Sequence, residues 1–444
     1  MRLSPHLRSL SLIFSIVLME FTAFGMIIPL SPYLARDFGA DDLEVGLLMS
    51  VYSLAQLIFA PLWGYLSDHL GRKPIILTCL LGSSLFYFWF SFANTLEVLF
   101  LTRILAGAFG AVMSVSMACI ADVTGEKERS RNMGLVGAAI GLGFIIGPFL
   151  GGLFGLLGQQ LGKGPPFGSS FSALGACLIC LMNFFIVLFF FKSKDFVFPN
   201  SKKSFPSREN QKQLLSANRT STKTPFSISI KKVLLNIKNS HQRRVQQLFL
   251  AIKYPVLNQT LLMYFLLTLA LAGIEASLFL YVRDKLSWSH FPASIGFTYI
   301  GLMMVLTQGF LVRKIIPRLG EYKTVVWGLI IGGVGFAGVG MTHWLWFLAL
   351  SVTLLCIGYG LASTCLSGAV SLLTNKDQQG SIFGVHQSVF SMARIIGPAL
   401  GGWFYRDLSP SAPFYISGLM VLFALLVGFS LKKSFPKQGK MAIT

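Results

Sequence analysis

Charge is scarce in this chain, and acid is scarcest. Only 12% of its 444 residues are charged, with 17 Asp and Glu against 37 Lys and Arg. Soluble globular domains carry about 25% charged residues, so a water-facing surface along the whole chain is excluded. Cysteine is sparse too. All six (Cys79, Cys119, Cys177, Cys180, Cys356, Cys365) fall inside apolar stretches, which excludes a disulfide framework in the connecting segments. Cys177 and Cys180 form a CxxC on an apolar helix, where packing is the better reading than redox or metal chemistry. There is no Walker-type phosphate loop and no HExxH pattern. Nucleotide-driven work, an enzyme activity, a metal and a cofactor are therefore not expected.

Hydrophobic residues, in contrast, make up 54% of the chain. Apolar runs long enough to cross a bilayer, ~20 residues each, recur twelve times. They lie at 10–33, 44–66, 74–94, 97–121, 132–156, 171–191, 256–281, 292–312, 324–341, 344–370, 381–404 and 413–431. The net charge of +20 invites a nucleic-acid reading, but its placement argues against one. With a cytoplasmic N-terminus, only Arg36, Lys163, Arg283, Lys285 and Arg406 fall in outer loops. Arg103 and Arg394 fall inside spans, and every other Lys and Arg lies on the inner side. This asymmetry is the positive-inside rule; it puts both termini in the cytoplasm and predicts an integral protein of the inner or plasma membrane.

The run Gly-Pro-x-x-Gly-Gly occurs at 147–152 and again at 397–402. Gly71 after the second span matches Gly320 after the eighth, and Arg36-Asp37 matches Arg283-Asp284, at nearly the same offset. The expected architecture is thus all-α: twelve spans in two six-helix bundles, 1–192 and 255–444, related by a pseudo-two-fold axis along the membrane normal. Residues 193–254 between them are basic. Their second part mixes apolar and basic residues, as expected of a helix on an anionic inner leaflet or of a solvated tether.

The copies of the motif also differ. Gly143 becomes Ala393, Phe144 becomes Arg394 and Leu153 becomes Trp403. The first copy is expected to be the tightly packed pivot and the second the charged side of a central site.

The loop GYLSDHLGRKPIIL, 64–77, can be read residue by residue. Gly64 permits close helix packing, Gly71 a tight reversal, and Arg72 a bridge to an acid on another helix. Pro74 opens the next helix at its first turn. The loop resembles the signature of the major facilitator superfamily at Gly64, Leu66, Asp68, Gly71, Arg72 and Lys73, with His69 in place of the usual Arg. Arg103 and Gly107 resemble that family's span-four motif. Gly143, Gly147, Pro148, Gly151 and Gly152 resemble its antiporter motif, and 120–134 is similar to the tetracycline-efflux branch of drug:proton antiporters.

The resemblance implies a monomeric secondary transporter that exchanges a small amphipathic compound for protons; a transporter specific for a sugar, organic acid or amino acid is the alternative. It also implies that Asp68, Arg72 and Asp122 latch the cytoplasmic side in an outward-open state.

Four ionisable residues fall within spans: Glu20, Arg103, Glu275 and Arg394. Each costs at least ~2.5 kcal/mol at the bilayer centre unless paired or wetted. By depth, Glu20 is expected to pair with Arg394, and Glu275 with Arg103. Glu20 is the expected proton-coupling carboxylate with Arg394 as its modulator, and Glu275 is a secondary candidate. Gln56, Asn183, Tyr264, Tyr299, Gln308, His386 and Gln387 are expected to serve mainly as helix–helix hydrogen-bonding groups.

Overall fold

The computed structural model describes residues 5–124, 126–191, 254–342, 344–373 and 379–431. The inter-bundle segment 193–253, with its expected surface helix, lies outside the described residues.

Among the described residues the chain is all helix. The first half holds α1 (Pro5–Asp37), α2 (Asp42–Leu70), α3 (Arg72–Ser91), α4 (Leu96–Phe109), α5 (Val112–Val123), α6 (Glu126–Leu161) and α7 (Phe171–Phe190). The second holds α8 (Pro255–Leu286), α9 (His290–Leu306), α10 (Val312–Leu319), α11 (Glu321–Gly340), α12 (Leu345–Leu372), α13 (Gln379–Asp407) and α14 (Ala412–Ser430). Helices α4 and α5 together make one span, as do α9 and α10, which gives the twelve. Several helices run well past their apolar stretch; α6 has 36 residues.

The duplication is visible in the packing. Helix α1 packs on α6 and α7, as α8 does on α13 and α14. The halves meet mainly where α2 crosses α13 and α9 crosses α6. Gly71 and Gly320, matched in sequence, both adopt positive φ (95° and 77°) between successive helices, the left-handed region that glycine enters without penalty.

Two breaks interrupt the expected spans. Span four bends at Gly110–Ala111, and α2 satisfies the carbonyls released there. Gln56 Nε2 donates to the Gly110 carbonyl at 2.6 Å, and Trp63 Nε1 donates to that of Ala108 at 2.6 Å. A bilayer offers no water to do this, so irregular backbone inside it needs such partners. Span eight carries a π turn at Thr307–Leu311.

Glycine environments show which end of the molecule is closed. Toward the end bearing residues 37–42, a Cβ on Gly46 would overlap the Pro398 carbonyl, and one on Gly402 the Asp42 carbonyl. Both are contacts between halves. Toward the opposite end, a Cβ on Gly64, Gly134, Gly137, Gly309 or Gly368 would meet nothing within 4 Å. The halves therefore touch at one end, the sealed end, and part at the other, the open end. Gly64 does not form the close helix contact expected of it, because α2 reaches the open end where the opposing half has withdrawn.

Candidate transport cavity

A cavity of about 570 Å³ lies between the halves, reaching the open end past Gly134, Arg313 and Thr364. Its walls are mostly apolar, with Phe144, Phe297, Ile300 and Met304 prominent. Glu275, Gln308, Arg313, Tyr359, Thr364 and Arg394 supply the polarity. Gln308 sits in the π turn, whose wider winding turns this stretch of span eight into the cavity wall.

Phe144 and Arg394, the positions at which the duplicated motif diverges, both line this cavity. On the first half Phe144 joins Phe21 (ring centroids 5.5 Å) and Phe24 (6.2 Å) in an aromatic cluster that reaches Phe297 at 6.4 Å. On the second half Arg394 Nη2 donates to Glu275 Oε1 at 3.5 Å and lies 6.0 Å from the Phe390 ring. The broken symmetry thus gives the cavity one aromatic wall and one charged wall.

This pairing differs from the one expected from depth. Arg394 pairs with Glu275 on α8, within its own half. Neither Glu20 nor Arg103 has a salt-bridge partner among the described residues. Glu20 is 7% exposed, and its Oε2 makes no hydrogen bond. Arg103 is 1% exposed; its Nη2 approaches Met49 Sδ at 3.9 Å, and its guanidinium lies 4.9 Å from the Tyr52 ring. Depth fixes one coordinate of a helical residue and leaves rotation about the axis open, which is why the depth match chose the wrong partners.

The antiporter-like glycines are close-approach positions. A Cβ on Gly143 would press on Phe21, one on Gly147 would overlap the Thr22 carbonyl, and one on Gly151 would stand 3.0 Å from Met26 Cα. All three contacts are with α1. Pro148 Cδ in turn lies against Gly25. Gly152 faces Phe291 and Ser294 of the other half. The second copy repeats the scheme: Gly397 and Gly401 press on Ala272 and Gly273 of α8, and Gly402 faces α2 of the other half. The expectation of one tightly packed half is therefore corrected, since both copies seat a helix backbone against backbone.

At the open end Arg72 donates to Asp68 Oδ1 at 2.5 Å, to Asp122 Oδ2 at 2.9 Å and to Ser67 Oγ at 2.6 Å. Lys73 Nζ donates to the Leu188 carbonyl at 2.7 Å. The expected cluster is formed, but all its members belong to the first half, and it is intact while this end is open. It braces α2, α3 and α5 together and does not by itself hold the two halves closed.

The sealed end is pinned by reciprocal pairs. Arg283 Nη2 donates to Asp37 Oδ1 at 2.9 Å, and the matched Arg36 stands 3.9 Å from Asp284. Arg36 also pairs with Asp42, and Arg406 reaches Asp41 at 3.1 Å across the halves. Burial raises the Asp41 pKa, but the Glu44 amide and the Arg406 guanidinium outweigh it and hold the carboxyl below its usual range.

Gln56 and Asn183 (to the Ile16 carbonyl, 2.9 Å) bond to backbone, while Tyr299 bonds to Thr353 (2.5 Å) and His386 to Ser367 (3.1 Å). The six cysteines are buried free thiols, and no group of His, Cys, Asp and Glu fit to hold a metal occurs among the described residues.

A duplicated twelve-span bundle with a central cavity open at one end is the architecture of an alternating-access carrier. The profile described as Major Facilitator Superfamily matches residues 13–395, with a second match over 260–441. The chain belongs to the Major Facilitator Superfamily. Within it, the chain is similar to the tetracycline resistance protein, class B, of Escherichia coli, with 29% identity over 89% of this chain and 88% of that one. It is similar also to the quinolone resistance protein NorA of Staphylococcus aureus, at 26% over 90% of each. Among solved structures, the human organic anion transporter MFSD10 shares the fold with a TM-score of 0.63 and 23% identity, covering 96% of this chain and 100% of that one. The superfamily member described here is a multi-pass membrane transporter of small molecules and not an enzyme.

Proposed function

We propose that this transporter is a proton-coupled antiporter that exports small amphipathic compounds, of the tetracycline and quinolone kind, across the inner (plasma) membrane. One observation carries the reading: the Arg394–Glu275 pair is set in the wall of a mostly apolar, aromatic cavity between the halves. Such a wall accepts a flat hydrophobic body, and the ion pair addresses a polar group at its edge. The resistance proteins to which the chain is similar support export of such compounds. The metabolite-carrier alternative is served less well, because most of the lining is apolar, with Gln308, Arg313, Tyr359 and Thr364 the polar groups beyond the pair.

The Lys and Arg asymmetry assigns the open end to the cytoplasm, so the conformation is inward-facing. Glu275 then exchanges a proton for a polar group of the substrate, and Arg394 returns to the carboxylate when both have left. The proton route on the first half uses Glu20. A carboxyl enclosed without a counter-ion or a hydrogen-bond donor is tolerated at low cost only with its proton. The glycine seats of α6 on α1 and of α13 on α8 keep each bundle rigid as the halves rock.

The test is a proteoliposome assay with an internal pH dye, run over a panel of amphipathic compounds and metabolites. Compound-dependent proton movement supports the reading. Movement of a metabolite down its own gradient, with no proton moved by any compound, overturns it.

A further inference from the structure

The sealed end holds a histidine that transport as described above does not use. His290 is the first residue of α9 and is 2% exposed. It sits in the seam between halves, with the Tyr33 ring of α1 at 6.1 Å between centroids. The backbone of α6 closes over it: a Cβ on Gly155 would stand 2.6 Å from His290 Nδ1 and 3.2 Å from Ser172 Oγ of α7. Nε2 lies 3.4 Å from Ser294 Oγ, while Nδ1 is buried with no hydrogen-bond partner.

The charged groups of this end, Arg36, Asp37, Asp41, Asp42, Arg283, Asp284 and Arg406, are engaged with one another. From α1 the ring faces the uncharged phenol of Tyr33, which donates to the Trp288 carbonyl at 2.8 Å. On α8, Arg283 lies 5.5 Å from the Tyr33 ring and is engaged with Asp37 and with the Tyr33 carbonyl at 3.1 Å. The parts of α6 and α7 that meet the ring are glycine and serine, and α12, which also packs on α9, has no ionisable residue except Tyr359, which lines the cavity, and Cys356 and Cys365. Among the described residues no carboxylate pairs with the ring. Its place in the first turn of α9 sets it beside the positive pole of that helix.

We propose that His290 is a proton-binding site whose occupation opens the sealed end. The proposal rests on the reading of that end as outward-facing and of transport as proton-driven. An uncharged imidazole fits the seam. An imidazolium there has neither water nor a counter-charge, and burying such a charge is costly. Parting of the halves returns the ring to water, where an imidazole titrates near pH ~6.5. Proton binding and closure therefore oppose each other, and by linkage acid favours the open seam. Acid on the outer face would then promote the state that takes up protons from that face.

The full-length protein tests this with spin labels on Lys163→Cys and Ser409→Cys, exposed sites on the outer loops of the two halves; the native thiols are all buried. The distance between them is measured in nanodiscs from about pH 7.5 to about pH 5.5. Asp41 is held below the ordinary carboxylate range while burial holds its neighbour Asp42 above it, so the His290 variants are what separate the ring from that carboxyl. The expected result is a longer distance at the acid end, absent in His290→Gln and also in His290→Asn. Acid-driven lengthening that persists in both variants overturns the proposal, and so does a wild-type distance that never responds to pH. Proton-driven transport in the same variants keeps this test separate from the functional reading. Transport with a pH-blind seam sinks only the role of His290; loss of all proton coupling in the wild type sinks the reading on which it rests.

Discussion

Arg394 on α13 meets Glu275 on α8 at 3.5 Å, and both line the cavity between the two halves. Cation and acid come from the two helices that the second Gly-Pro-x-x-Gly-Gly copy locks together. Removal of either partner leaves the other partly buried and unmatched, at a cost of ~1–3 kcal/mol. Glu275→Gln and Arg394→Gln are each expected to lower thermal stability in detergent. The double variant should recover most of that loss without recovering transport. A double-mutant cycle by thermal unfolding and proton-driven uptake checks both halves of this statement.

Glu20→Gln is expected to spare folding, because Oε2 has no hydrogen bond to lose. The same variant should cut proton-driven transport by at least about ten-fold, equivalent to ~1.4 kcal/mol. Full proton-driven transport by a well-folded Glu20→Gln protein would remove Glu20 from the proton route.

The glycine seats give a contrast between substitutions of one type. Gly147→Ala and Gly401→Ala place a methyl group into a backbone carbonyl of the neighbouring helix, and each is expected to cost ~1–3 kcal/mol. Gly64→Ala adds a methyl group to open space, so its melting temperature in the conformation with this end open should not fall. Equal destabilisation by all three would show that the open end is not open.

The open-end cluster predicts a modest effect. Asp122→Asn removes one partner of Arg72 and leaves Asp68, and exposed pairs of this kind contribute ~0–1 kcal/mol. Because the cluster lies within one half, the substitution should leave the distance between the halves at this end unchanged in the state with this end open. Distance measurements between labelled halves test this directly.

The span pattern was legible because each apolar run must bury its backbone within itself, whatever surrounds it. Gly71 and Gly320 were legible for a similar local reason: a reversal between two helices demands positive φ. The partners of Arg394 and Arg103 were not, since they depend on how each helix is rotated against its neighbours. The cross-half pairing of Arg283 with Asp37 and of Arg36 with Asp284 lay half-hidden in the repeat. The matched Arg-Asp dipeptides were plain, but their reciprocal contact needed the two-fold axis. The bend at Gly110 was concealed because its compensating groups, Gln56 and Trp63, lie on another helix.

The most direct test of the central claim compares two modes of transport by one variant. In proteoliposomes, wild-type protein should drive tetracycline or quinolone movement uphill under an imposed pH gradient and should also exchange the compound between equal pools. Glu275→Gln should abolish the uphill movement while retaining measurable exchange, because the cavity survives and the proton-carrying carboxylate in its wall does not. Uphill transport at the wild-type rate by Glu275→Gln would contradict the account.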